Sequence, residues 1–140
     1  MSYVTIAEMT DEARTAYVSM LTTGEPAFQI VEFAVGQGGY DPSDPRTALP
    51  PDPTATELED EIFRDTYDEI EWRNQYCPVF VCKVEPGEVT GVIGEIGLFA
   101  TYLSGPNVGQ KFMFAVGHMP MTPRTPEDLN VFRVPVPFGG

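Results

Sequence analysis

The clearest alternation of apolar and polar positions in the sequence lies between residues 91 and 102. Side chains point alternately to the two faces of a strand, so every second residue shares a face. One face is almost entirely apolar and carries Val92, Gly94, Ile96, Leu98, Ala100 and Tyr102. The other face carries Ile93, Glu95, Gly97, Phe99 and Thr101. We therefore predict that this segment is the central strand of a sheet.

Glu95 is a carboxylate in an otherwise apolar strand. A buried charge needs hydrogen-bond donors, so we expect backbone N–H groups or an arginine, Arg64 or Arg73, to bind it. Gly97 follows on the same face, and a glycine within a strand often marks the close approach of another segment. No histidine, lysine or second carboxylate stands near Glu95 in the sequence. We therefore interpret Glu95 and Gly97 as structural anchors and not as catalytic residues.

Two segments carry the pattern of an amphipathic helix. Thr10 is a suitable N-cap for the first helix, which Gly24 ends. Its apolar stripe follows helical spacing and consists of Ala13, Ala16, Tyr17, Met20 and Leu21. The second helix is predicted to begin at the capping box of residues 56–59 and to run through Ile62 and Phe63. The pattern alone leaves open whether it continues to Ile70 or gives way near Asp65 to a strand, and the alternation of residues 67–73 favours the strand. We expect the stripe of the first helix to pack into the core.

Further strands are predicted at residues 28–35, 67–73, 79–84, 111–116 and 130–138. Turn signals at residues 85–88 and 104–107 predict two consecutive hairpins around the central strand. The whole chain, residues 1–140, has the length of a single domain. The expected fold class is α+β: a small mixed or antiparallel sheet with two helices and long loops rich in proline and glycine.

Glycine and proline are concentrated after the strand at residues 28–35. Gly36 and Gly38 predict a sharp irregular turn, in which both act as structural anchors. A phosphate-binding loop is disfavoured, because no Lys-Ser or Lys-Thr pair follows. Residues 40–56 contain five prolines, and a loop of this length in a compact domain is usually functional or mobile. We predict that the loop docks a partner through Tyr40, Pro42, Pro50 and Pro51.

The last predicted strand also alternates, and its apolar face carries Phe132, Val134, Val136 and Phe138. Pro135 and Pro137 share the other parity, so both missing N–H groups lie on one side of the strand. A side without donors predicts an edge strand, or a chain end that lies along a partner. We therefore assign the four apolar side chains to partner docking as well.

The net charge of −13 is concentrated in the first half of the chain. Residues 1–75 hold 16 acidic and 4 basic residues, whereas residues 76–140 hold 5 and 4. Such a field repels phosphate backbones, so we expect no nucleic-acid partner. The acidic stretch 41–75 is either a docking surface for a basic partner or a solvated face. Neither a signal peptide nor a run of about 18 apolar residues is present, so we expect no membrane association.

Enzymatic, metal and cofactor chemistry are not expected. Cys77 and Cys82 are five residues apart and fall on opposite faces of a strand, so they should remain free thiols, as in a reducing compartment. Metal ligation is disfavoured because the single histidine, His118, is remote from both. The spacing needed for a calcium loop is absent from Asp41, Asp44 and Asp52. No nucleophile stands near a base, so we predict that the protein is not an enzyme.

Four blocks follow one another in a defined order between residues 28 and 137. They are residues 33–39 (FAVGQGG), 54–58 (TATEL, leading to Glu61 and Arg64), 93–99 (IGEIGLF) and 114–120 (FAVGHMP). In this order and spacing the chain resembles the N-terminal domain of phage tail-collar fibre proteins. The most specific part of the resemblance is residues 95–99. The resemblance implies a small α+β domain that attaches fibres to a virion baseplate or tail.

By this resemblance the chain is a structural virion protein of a phage tail or a related contractile injection system. It would act as an adaptor that docks tail fibres to the tail or baseplate. Other tail, baseplate or fibre proteins are the implied partners, and the chain is expected to form a trimer or a ring. Because no shaft repeat or receptor-binding tip follows within the 140 residues, we expect a docking module that stands alone. The alternative hypothesis is a soluble domain that binds a small molecule or a peptide.

Overall fold

The structure is a computed structural model, and it describes residues 2–89, 91–125 and 127–138. Within these residues the chain forms one helix and eleven strands. The helix is α1 (Asp11–Thr23). The strands are β1 (Ser2–Val4), β2 (Glu8–Met9), β3 (Phe28–Gly36), β4 (Tyr40–Asp41), β5 (Asp44–Ala48), β6 (Glu61–Thr66), β7 (Glu69–Asn74), β8 (Cys77–Val84), β9 (Gly91–Tyr102), β10 (Lys111–Arg124) and β11 (Asn130–Pro135).

Most strands belong to two sheets that pack face to face. The four-stranded sheet has the order β1-β11-β8-β7, and the five-stranded sheet has the order β2-β10-β9-β3-β6. β4 and β5 pair only with each other. The main core lies between the sheets and includes Phe80, Phe132, Val134, Ile96, Leu98 and Phe114. The described chain is therefore mostly β with a single helix, and the predicted α+β fold with two helices is wrong.

β9 is the middle strand of the five-stranded sheet, as its alternation predicted. Its inner face carries Ile96, Leu98, Ala100 and Tyr102. Phe99 lies on the opposite face, in a second and smaller hydrophobic cluster. Ile93 departs from the predicted alternation, because it is fully buried in the main core. The register between β9 and β10 shifts between Ile93 and Glu95, so a regular two-residue period does not extend through this point.

Residues 57–63 do not form the predicted second helix. Residues 54–60 form turns and bends, and β6 begins at Glu61 and pairs antiparallel with β3. The predicted helix would have bonded the N–H groups of Glu59 and Asp60 to the hydroxyl and the carbonyl of its N-cap, Thr56. In the structure both N–H groups donate to the Glu95 carboxylate instead. The buried Glu95 carboxylate, which is distant in the sequence, therefore takes the place of the local capping interaction.

One of the two predicted hairpins is also wrong. β9 and β10 pair antiparallel, as expected. β8, however, pairs with β7 and β11 in the four-stranded sheet. The connection after Val84 therefore crosses from one sheet to the other and does not turn back along its own sheet. A turn signal marks the end of a strand, but it does not determine which sheet the next strand joins.

β11 is an inner strand and not the predicted edge strand, because it pairs with β8 on one side and β1 on the other. The N–H groups of Val136 and Phe138, which follow β11, donate toward the β8 side. On the β1 side the carbonyl of Pro135 accepts from the N–H of Ala7 at 3.1 Å. The side of the strand on which the prolines offer no N–H can therefore still be covered, because the neighbouring segment donates its own N–H groups to the carbonyls of β11.

α1 begins after Thr10, as predicted. The Thr10 hydroxyl accepts a hydrogen bond from the N–H of Ala13 and donates one to the carbonyl of Met113 at 2.7 Å. Gly24 ends the helix in the left-handed conformation. Only Ala13 and Ala16 of the helix are buried. The helix is therefore held through its small residues, and its larger apolar side chains lie farther from the core.

Cys77 and Cys82 are both buried free thiols, in agreement with the prediction. Burial raises the pKa of the Cys82 thiol, so its reactive thiolate form is scarce at neutral pH. In the part of the chain that the structure describes, no helix is long and apolar enough to cross a membrane.

Candidate functional site

Glu95 lies at the centre of a buried polar network, and its side chain is fully buried. The carboxylate oxygen Oε2 accepts from the backbone N–H of Gly38 at 3.0 Å and of Asp60 at 2.9 Å. The other oxygen, Oε1, accepts from the N–H of Glu59 at 2.9 Å. Three backbone donors replace the water that a carboxylate would otherwise bind. The predicted burial of Glu95 and its backbone donors are therefore confirmed.

Neither arginine expected beside Glu95 forms an ion pair with it in the described structure. The Arg64 guanidinium instead pairs with Glu32 at 2.9 Å and lies over the Phe99 ring, 3.8 Å from its centroid. Arg73 is exposed on β7, in the other sheet. Arg64 therefore stabilises the pairing of β3 with β6, and of the two alternatives predicted for Glu95 the described structure shows the backbone N–H groups.

Glycines surround the Glu95 carboxylate because a larger residue does not fit. A Cβ atom on Gly36 would lie within 3.0 Å of the carboxylate and of the Asp60 carbonyl oxygen. A Cβ atom on Gly38 would also lie within 3.0 Å of the Glu95 carboxylate. The crowding is milder at Gly97, where the nearest atoms lie at 3.1 Å. The lack of space gives a physical reason for the predicted anchor role of Gly36 and Gly38.

The network holds a long loop on the outer face of the five-stranded sheet. We call residues 37–60, which include β4 and β5, the covering loop. Glu59 accepts from the N–H of Gly39 at 3.0 Å, and the His118 ring nitrogen Nδ1 lies 2.9 Å from the carbonyl oxygen of Leu49. The second hydrophobic cluster lies under the loop and contains Ala34, Ala55, Leu58, Phe99, Met113 and Val116. No pattern in the sequence predicted that this loop has a small core of its own.

The four sequence blocks that carry the resemblance meet in this network. Block 93–99 contributes Glu95, and block 33–39 contributes one backbone donor and the glycines around the carboxylate. The two residues directly after block 54–58 contribute the other two donors. Block 114–120 contributes the histidine that contacts the covering loop. Segments far apart in the sequence thus form one tertiary arrangement.

The loop residues predicted to dock a partner lie at the surface of the covering loop. Pro42 and Pro50 are exposed, and Pro51 is half-buried. The half-buried ring of Tyr40 lies against Gly94 of the central strand, so part of it is used inside the protein. Docking through the exposed prolines stays a prediction.

The docking role predicted for the last strand needs correction. Phe132, Val134 and Val136 are buried in the main core, so they do not reach a partner in the folded protein. Their alternation marks the face that packs against the other sheet. Phe138 is half-buried, and its ring centroid lies 6.0 Å from that of Phe114 and 6.3 Å from that of Tyr17. We therefore exclude the first three side chains from any docking surface.

An apolar cleft of about 330 Å³, which the predicted elements did not indicate, lies between α1, β3 and β7. Its walls include Tyr17, Met20, Phe28, Tyr67, Ile70 and Phe138. The cleft reaches solvent, because the side chains of Tyr17 and Ile70 remain 36% and 39% exposed. The apolar stripe of the helix contained a sign of this cleft. Its small residues, Ala13 and Ala16, come first and are buried, whereas the larger Tyr17 and Met20 follow and line the cleft.

The described residues do not form a metal-binding cluster. Within the described ranges, no group of three His, Cys, Asp or Glu side chains could hold a metal ion. His118 contacts a backbone carbonyl, and Glu95 is fully buried among three donors. This arrangement fixes a loop and leaves little room for a substrate beside the carboxylate.

Comparison with protein-family models and with curated proteins finds no match to this sequence. Function is therefore inferred from the residues and their geometry.

Proposed function

We propose that this chain is a structural virion protein of a phage tail or a related contractile injection system, where it docks tail fibres to the tail or baseplate. One observation carries the proposal: the four blocks that resemble the tail-collar fibre domain converge on Glu95 and the covering loop. Blocks 33–39, 93–99 and 114–120 lie largely on the adjacent strands β3, β9 and β10, and they hold the covering loop against the sheet. The resemblance thus corresponds to one specific way of holding a loop on a sheet.

The covering loop suits an adaptor because it is ordered before it meets a partner. Glu95 and the second hydrophobic cluster hold its inner side, while Pro42 and Pro50 are exposed on its outer side. An ordered loop loses less conformational entropy on binding, so more of the contact energy appears as affinity. Prolines add to this effect because they restrict the unbound backbone. Repeated copies around the tail axis would multiply the contacts.

Purified particles provide the test. Particles from the producing cells are separated on a density gradient, and the chain is quantified against the tail-tube protein by mass spectrometry. We expect a fixed stoichiometric ratio between the two proteins. Absence of the chain from intact particles would contradict the proposal.

A matched pair of surface variants tests the role of the covering loop. Pro50→Arg introduces a charge at an exposed position of the loop, and Val108→Arg introduces the same charge at another exposed position outside it. Both variants should fold, because neither side chain is buried. We expect several-fold fewer copies of Pro50→Arg per particle and unchanged incorporation of Val108→Arg. Equal incorporation would contradict docking through this part of the loop.

A soluble domain that binds a small molecule or a peptide is the second candidate, and the apolar cleft favours it. Its volume of about 330 Å³ lies at the lower end of the range for ligand pockets. A ligand-binding domain of this kind should be a stable monomer whose melting temperature rises with ligand concentration. Stoichiometric co-purification with tail components distinguishes the adaptor from this candidate.

A further inference from the structure

β7 is an edge strand whose outer edge pairs with no described strand. It forms the end of the four-stranded sheet and pairs only with β8. Each residue from Glu69 to Asn74 is exposed. An edge strand leaves backbone N–H and C=O groups free to pair with another chain, and proteins usually protect such an edge. Here no described strand pairs with the outer edge, and β7 is regular from Glu69 to Trp72, before its register shifts at Arg73.

One face of β7 continues the apolar cleft. Ile70 lines the cleft beside Tyr17 and Met20 of α1. Trp72 is two residues farther along the strand, so it shares this face, and its side chain is 63% exposed. Leu21 of α1 is 66% exposed as well. A strand added to β7 would place its own side chains opposite Ile70 and Trp72, where apolar residues would cover this surface.

The other face of β7 is acidic at its beginning. It carries Glu69 and Glu71. Glu71 pairs with Arg133 at 2.9 Å, whereas Glu69 has no ion-pair partner among the described residues. The turn that precedes the strand adds the exposed Asp68. Opposite charges on directly paired strands attract, and like charges repel. Basic side chains therefore fit opposite Glu69 and Glu71.

We propose that the free edge of β7 binds an extended segment of a partner protein by adding it as a fifth strand to the four-stranded sheet. The segment alternates apolar side chains, opposite Ile70 and Trp72, with lysine or arginine, opposite Glu69 and Glu71. The inference rests on the proposed function for the identity of this partner as a tail component. The chemistry of the surface does not depend on that identity.

A second copy of this chain does not fit the description. Residues 1–75, which include β7, hold 16 acidic and 4 basic residues, so the β7 edges of two copies repel each other. The edge strands of the two large sheets are β1, β2, β6 and β7, and their only basic residues are Arg64 and Arg73. Arg64 is already paired with Glu32. The described chain therefore offers no edge strand with alternating apolar and basic side chains.

Trp72 is the only tryptophan of the chain, so its fluorescence reports on this surface directly. The protein is titrated with a short peptide that alternates lysine and valine and contains no aromatic residue. Control peptides alternate glutamate and valine, or contain the same lysines and valines in two separate blocks. We expect a saturable blue shift of Trp72 emission with the alternating lysine peptide alone. Amide NMR shifts should be confined to β7 and the cleft.

Charge reversal tests the pairing. In the Glu69→Lys/Glu71→Lys protein, the affinity for the lysine peptide should fall about tenfold, because two favourable cross-strand pairs become repulsive. The glutamate peptide should then bind in its place. The matched control Val4→Lys/Ile6→Lys changes two exposed side chains, 62% and 57% accessible, at the other edge of the same sheet. This control should bind the lysine peptide as the parent protein does.

Three results would overturn the inference: an unchanged Trp72 emission, equal binding of the two lysine peptides, or an equal loss of affinity in both double variants. A blue shift that depends on protein concentration without peptide, together with dimers in sedimentation, would identify a second copy as the occupant and would also overturn it. The proposed function fails separately, when the chain is absent from purified particles although the lysine peptide binds to β7.

Discussion

At the scale of single residues, the stability of the fold depends on how the Glu95 carboxylate is satisfied. Water is excluded from it, and three backbone N–H groups bind it at 2.9–3.0 Å. These donors come from residues that form no regular ladder at this point, so they have no alternative acceptor of comparable strength. The carboxylate and the covering loop therefore stabilise each other.

Replacement of Glu95 by alanine should lower the free energy of unfolding by about 2–4 kcal/mol, because buried N–H groups lose their acceptor. Urea unfolding followed by circular dichroism measures this change. Glu95→Gln keeps the shape of the side chain but turns an NH₂ group toward N–H donors. Its free energy of unfolding should therefore lie between those of the parent protein and of Glu95→Ala. The exposed control Glu69→Ala should stay within about 0.5 kcal/mol of the parent. A Glu95→Ala protein as stable as this control would contradict the anchor role.

Gly36→Ala tests the lack of space around the carboxylate. The added methyl group would collide with the Asp60 carbonyl oxygen and with Glu95, so we expect a loss of about 1–3 kcal/mol from overpacking. Gly87→Ala is a useful comparison, because that glycine has open space but a φ of +84°. Gly87→Ala should lower the free energy of unfolding by about 1 kcal/mol, through backbone strain alone. If Gly36→Ala were the milder of the two, the steric explanation would be wrong.

At the scale of secondary structure elements, Glu32 connects three strands of the five-stranded sheet. It lies on β3 and pairs with Arg64 of β6 at 2.9 Å and with Lys111 of β10 at 3.2 Å. Its side chain is 12% exposed. Burial by itself would raise the pKa of Glu32, but the hydrogen bonds from Arg64 and Lys111 outweigh it and hold the pKa below its ordinary value of 4.5.

This lowered pKa predicts the sign of a pH effect. The ionised form is favoured in the folded state, so the stabilisation is complete above the unfolded pKa, near 4.5, and is lost as the pH falls through the folded pKa. Glu32→Gln should cost on the order of 1 kcal/mol at pH 7, and the difference from the parent should shrink below about pH 4.5. Urea unfolding between neutral and acidic pH measures it. A difference that grows on acidification would contradict the prediction.

At the scale of the whole molecule, the two sheets depend on β11. Phe132 and Val134 are fully buried between the sheets, and the strand connects β1 to β8. The fold thus places the last strand in the interior, whereas the covering loop and the edge of β7 lie at the surface. Partner contacts are expected at these two surfaces and not along β11.

Deletion of residues 132–140 should therefore abolish folding and not only docking, because it removes an inner strand and several core side chains. Loss of dispersion in an amide NMR spectrum would measure this outcome. Phe138→Ala, at a half-buried position after the strand, should remain folded with a lower melting temperature. A deletion variant with a native-like spectrum would show that β11 is dispensable.

The sequence by itself determined features that depend on neighbouring residues. The alternation of residues 91–102 predicted the central strand, although Ile93 departs from it, and Thr10 and Gly24 marked the ends of α1, since caps act within one turn. The burial of Glu95 could also be predicted, because an apolar strand imposes it and a buried charge must find donors. Proline parity located the side of the last strand on which Pro135 and Pro137 offer no N–H groups.

Only the tertiary structure decided which distant segments meet. The donors to Glu95 lie 57, 36 and 35 residues away in the sequence, and two of them are N–H groups that the predicted second helix would have bonded to its own N-cap, Thr56. Local spacing cannot encode this competition. The same reason explains why β8 joins the other sheet, why β11 is covered by β1, and why the larger side chains of α1 border an open cleft. These outcomes depend on contacts between segments, which hydrophobic periodicity does not specify.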